Sequence, residues 1–218
     1  MGHDLSAFES YPPIHMSDSF YDDDDDDFDD VELDDLPPTL AALSRFAATL
    51  KHVRWFATVG ERLGEAGRAD SAAYLLALGF PECDVVQAFD WEEAEEAARN
   101  PDWNTAWWEV EEQLRAGLSA AAVDLAGDEQ AVLVALTHVT SKASEAVHGA
   151  AETAASRFGV DDDGLIRAAA GAATQAAYQA ALVIAAAEEE DHPFALKFQL
   201  FRSGRWPLGI IGGTFSIF

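Results

Sequence analysis

The chain has 218 residues, 49% of them hydrophobic and 24% charged, which suits one globular domain with a tail. Its formal net charge is −27, from 40 acidic and 13 basic side chains. A charge of that sign repels nucleic acid and anionic membrane at long range and points to a basic partner.

The charge is uneven. Residues 1–38 hold 14 acidic side chains and no Lys or Arg, so the remaining 26 acids against 13 bases leave the body at −13. The run "YDDDDDDFDD" at 21–30 lacks helical period and reads as part of a disordered acidic arm over residues 1–37. Within it Tyr21 and Phe28 are aromatic anchors among charges such as Asp24 and Asp25, a composition suited to engaging a cationic surface.

Residues 38–192 read as an Ala-rich bundle of five or six helices. Thr39 is the expected N-cap of a first helix over 39–66, with Leu43, Phe46, Leu50, Val53 and Ala57 on one face. Asp70 or Ser71 caps a shorter helix ending at Leu78, and residues 84–89 add a turn or two. Asp90 with Glu93 forms a capping-box start for 91–99. A helix over 103–125 follows, closed by Gly127. Asp128 caps the next, over 129–157, whose stripe is Val132, Leu136, Val139, Ala143 and Val147. Aspartates 161–163 cap a last helix reaching about residue 190.

Residues 168–187 run 20 positions without a charge, long enough to span a membrane. Twelve of the 20 are Ala, with Thr174, Gln175 and Gln179 among them, so the stretch reads as a closely packed soluble helix. Residues 193–218 are expected to form a β-rich segment packed on the bundle. "FALKFQL" alternates apolar and polar positions, and "WPLGIIGG" with "TFSIF" supplies further strands of a small hairpin or meander. Lys197, Arg202 and Arg205 would give this segment a basic spot.

The fold class is therefore mainly α, with a small C-terminal β element. The single cysteine, Cys83, permits no intramolecular disulfide and lies between Glu82 and Asp84, which disfavour a thiolate. That usage suits a reducing compartment, and the N-terminus has no secretory pattern, so the expected location is cytoplasmic. No Gly-x-Ser-x-Gly or Walker loop occurs, and "GIIGG" has no helix after it to make a dinucleotide site.

Two Glu-x-x-His pairs occur, Glu145–His148 and Glu189–His192. In this they resemble the ligands of ferritin-like di-iron bundles, although here the motifs fall on consecutive helices. That resemblance implies an alternative reading as a helical metalloenzyme holding iron or manganese through Glu61, Glu145, His148 and Glu188, with Glu109 or Glu112 as a further ligand. By helical spacing Glu145 and His148 point away from the apolar face, while Glu188 falls on it. Four tryptophans lie within residues 91–108, and Trp103 and Trp107 share a helical face suited to partner contact. The favoured reading is a non-enzymatic acidic binding protein without a cofactor. It would engage a basic protein, in the manner of an inhibitor, an immunity protein, an antitoxin or an assembly chaperone.

Overall fold

The structure, a computed structural model, describes residues 37–218. Seven α-helices and three strands are described: α1 Pro38–Thr49, α2 Glu65–Leu78, β1 Asp84–Gln87, α3 Trp91–Ala98, α4 Thr105–Ala126, α5 Glu129–Arg157, α6 Asp163–Ala185, α7 Pro193–Arg202, β2 Pro207–Ile211 and β3 Thr214–Ile217. The mainly α fold with a small C-terminal hairpin is thus observed.

Helices α5 and α6 form the centre. The face of α5 that carries Val132, Val139, Ala143, Val147 and Ala151 is buried, as is the α6 face with Ala169, Ala173, Ala176, Ala177 and Ala180. Small side chains let two backbones approach, and the short link between these helices makes them antiparallel neighbours. Both caps follow the sequence. Asp128 accepts from the Ala131 amide, and Asp162 accepts from the Leu165 amide. Their core is completed by α1, α7 and a set of large aromatics that includes Phe56, Trp91, Trp206 and Phe218. No described helix is long and apolar enough to cross a membrane.

The first helix is shorter than its periodicity suggests. It starts at Pro38, with Pro37 rather than Thr39 at the cap, and it ends at Thr49 in a 3-10 turn over Leu50–His52. Beyond it Trp55 and Phe56 both turn into the core. Phe56 takes a positive φ of 53°, and the Arg157 guanidinium donates to its carbonyl at 2.8 Å. Helix α2 then begins at Glu65, earlier than the Asp70 or Ser71 cap would place it.

Residues 84–87 form a strand rather than a helical turn. β1 pairs in parallel with β3 in the register Asp84↔Thr214 to Gln87↔Ile217, and β3 pairs antiparallel with β2, giving the order β1-β3-β2.

The expected strand over "FALKFQL" is helix α7. Phe194, Phe198 and Phe201 face the main core, while Leu196 and Leu200 face a second cluster with Tyr74, Trp107 and Phe215. A short helix buried on two sides has apolar residues at nearly every second position, which imitates strand alternation. At the other end of the loop before it, α6 stops at Ala185. Ala187 closes it with φ 54°, and the Glu188 amide bonds back to the Val183 carbonyl at 3.0 Å.

Candidate functional site

A cavity of about 540 Å³ opens between α4, α6, α7 and the sheet. Its lining includes the tryptophans Trp103, Trp107, Trp108 and Trp206 and the small-residue strip Ala168, Gly171 and Ala172 of α6.

Trp103 precedes α4 rather than lying on it. It bridges to Ile211, and the Asn104 amide donates to the Ile210 carbonyl at 3.0 Å, which fastens this segment along β2. Asn104 also caps α4 by accepting from the Trp107 amide at 3.0 Å. The Trp103 and Trp107 rings consequently stack, 5.5 Å apart and 14° from parallel. The stack rests on Gly209, whose φ is 125°; a Cβ there would lie 2.4 Å from the Trp103 ring. Trp107 is buried, Trp103 is half-buried, and Trp108 is 57% exposed at the mouth.

The cavity floor is a buried polar network. Lys197 Nζ donates to Glu111 Oε1 at 2.7 Å and Oε2 at 2.9 Å. The Tyr74 hydroxyl donates to Glu111 Oε1 at 2.9 Å, and Trp107 Nε1 donates to the Tyr74 oxygen at 3.2 Å. Gln179 Nε2 adds a longer contact to Oε2 at 3.4 Å. The side chains of Lys197 and Glu111 are 12% and 6% exposed. A buried carboxylate requires such partners, because desolvation of an unpaired charge costs several kcal/mol. Burial, reinforced by the adjacent Glu111 charge, pushes the Tyr74 phenol well above its usual value, so it stays a proton donor. Lys197 also lies over the Trp107 ring, 5.8 Å from its centroid.

A second cavity, of about 610 Å³, lies between α5 and α6, lined by Thr140, Ser144, His148, Arg167 and Tyr178 among others. It shares Gly171 and Gln175 with the first.

Trp103 and Trp107, expected at a partner surface, are thus brought together at a cavity wall. Tyr21, Asp24, Asp25 and Phe28 lie outside the described residues. The four metal-ligand candidates are not assembled. Glu145 is exposed and approaches Lys142 at 3.5 Å, and His148 pairs with Glu152 at 3.2 Å. Glu61 lies exposed in the turns before α2. Glu188 lies past the end of α6 and is exposed, so its expected place on the apolar stripe is corrected by the early stop of that helix. Among the described residues no three His, Cys, Asp or Glu side chains are grouped to hold a metal.

Nor do Lys197, Arg202 and Arg205 form one basic spot. Lys197 is paired to Glu111, Arg205 is buried with its guanidinium on the Glu61 and Arg62 carbonyls, and only Arg202 is exposed. Burial, with the Asp84 charge adding to it, raises the Cys83 thiol. Sequence reasoning missed Glu111 and Tyr74, placed Lys197 only in a basic spot, and counted Trp108 among the clustered tryptophans without assigning it to the site. The spacing Trp107–Glu111–Leu118–Ala122 does place Glu111 on the buried stripe of α4, a signal present in the periodicity.

Compared with protein-family models, curated proteins and solved structures, the chain matches none.

Proposed function

We propose that this chain is a non-enzymatic acidic binding protein for a basic protein partner, acting in the cytoplasm as an inhibitor, immunity protein, antitoxin or assembly chaperone does. The cavity walled by Trp103, Trp107 and Trp108 is its recognition site. One observation carries this reading: an aromatic-walled, half-open cavity of about 540 Å³ on a body that carries −13. A concave apolar site with a few fixed polar groups is the usual form of a binding site, and partly exposed tryptophan is the residue type most enriched in binding hot spots. The acidic surface supplies steering toward a cationic partner. The arm, with Tyr21, Asp24, Asp25 and Phe28, adds to that steering.

The test is capture from the native host with the full chain and with Trp108→Ala. A basic protein retained at low salt, released as salt rises, and lost with Trp108→Ala is the expected result. Equal retention by both proteins contradicts a role for the cavity, and retention insensitive to salt contradicts the charge argument. Repeating the capture without residues 1–36 separates the contribution of the arm.

A further inference from the structure

Each ionisable side chain of the Lys, Arg, His and Glu type lining the two cavities has a side chain of the opposite type beside it. In the tryptophan cavity Lys197 is held by Glu111 at 2.7 Å. In the second cavity Arg167 faces Asp163 at 3.9 Å and His148 faces Glu152 at 3.2 Å, each within its own helix. The excess acid of this protein therefore lies outside the cavities, as at Asp102 and Glu109, both exposed beside the tryptophans in sequence.

The two cavities meet at Gly171 and Gln175, one helical turn apart on α6. Gly171 is exposed within α6, and a Cβ added there meets nothing within 4 Å. Glycine inside a helix costs about 0.5–1 kcal/mol relative to alanine, so packing does not account for it. Its lack of a side chain keeps the strip of α6 between the cavities low.

We infer that the two cavities form one groove across α6 at Gly171, and that this groove seats an uncharged, aromatic-anchored segment of a basic partner. This rests on the binding-protein reading and specifies which part of the partner enters. A cationic anchor would meet the Lys197 ammonium and find the Glu111 carboxylate already taken by Lys197, Tyr74 and Gln179. An anionic anchor would be left beside Glu111 within an acidic body. An aromatic side chain lies against the Trp103–Trp107 stack at no desolvation cost for charge. The following residues cross Gly171 and meet Thr140, Ser144, Thr174 and Tyr178, which can hydrogen-bond the peptide backbone. The Lys and Arg residues of the partner flank the segment and face the exposed acids.

The test uses the full chain and synthetic eight-residue peptides with Lys or Arg at both ends and a varied centre: Phe-Ser-Gly, Lys-Ser-Gly, Glu-Ser-Gly or Ala-Ser-Gly. The Phe peptide is expected to bind about ten-fold or more tightly than each of the other three. Gly171→Phe, which blocks the crossing over α6 from an open helical position, is expected to abolish that preference with circular dichroism and thermal midpoint retained. Gly149→Phe, on an exposed helical position outside both cavities, leaves it intact. Binding of all cationic peptides with equal affinity, lost in high salt, would overturn the groove assignment while leaving the acidic-binder reading standing. Preference for the Lys centre, or a Phe preference that survives Gly171→Phe, would also overturn it. No binding of any cationic peptide would count against both.

Discussion

The Lys197 ammonium on α7 donates to both oxygens of the Glu111 carboxylate on α4, at 2.7 and 2.9 Å, across 86 positions of sequence. This pair ties the C-terminal helix to the helix that carries the tryptophans. It also leaves the cavity above it without net charge.

Removing one partner strands the other. Glu111→Gln and Lys197→Met are each expected to destabilise the fold by about 3–5 kcal/mol, whereas the double variant recovers most of that loss, because a buried pair roughly balances its own desolvation. Denaturant unfolding of the four proteins in the cycle measures the coupling. Additive losses would show that the two groups do not depend on each other.

Gly209 is required by the tryptophan stack. Gly209→Ala places a Cβ 2.4 Å from the Trp103 ring and 2.9 Å from that of Trp107, on a backbone with φ 125°. The expected result is a loss of about 1–3 kcal/mol together with a changed near-ultraviolet circular dichroism signal as the rings part. An unchanged spectrum would contradict the geometry of the wall.

Much of this architecture is legible in the sequence, and the failures share a physical cause. Asp90, Asp128 and Asp162 are caps that act locally, and the long stripes of α5 and α6 are periodic enough to define their faces without any partner. The first helix and α6 were expected to run too long because nothing in their residue types stops them. They end at Thr49 and Ala185, and each is followed by a non-glycine residue at positive φ, Phe56 in the turns after α1 and Ala187 just past α6. α7 resembles a strand because it is buried on two sides. The site is legible in Trp103 and Trp107. The ion pair on its floor is not, since Lys197 becomes a partner of Glu111 only once "FALKFQL" is a helix.

His192 supplies a pH dependence. Its Nδ1 accepts from the Phe194 amide at 3.1 Å and caps α7, which requires a neutral ring. Burial lowers its pKa from 6.5, against the opposing pull of Glu188 and Asp191. A histidine depressed in the folded state contributes stability above its unfolded pKa and loses it as pH falls through the folded value. Stability is therefore expected to be level above about pH 7 and to fall below pH 6.5, with His192→Asn, a cap that does not titrate, flattening the profile. Thermal midpoints from pH 8 to pH 5 for both proteins check this; parallel profiles would contradict it.

The six tryptophans allow the central claim to be read directly. Trp103, Trp107, Trp108 and the buried Trp206 line the recognition cavity, while Trp55 and Trp91 are buried in the core and are not part of its lining. With the indole nitrogens labelled by 15N, the full chain is titrated with the Lys- and Arg-flanked Phe peptide and followed by heteronuclear NMR. The account predicts saturable shifts at Trp103, Trp107 and Trp108, with Trp55 and Trp91 still. Saturable binding that leaves the indoles of Trp103, Trp107 and Trp108 unmoved would contradict it.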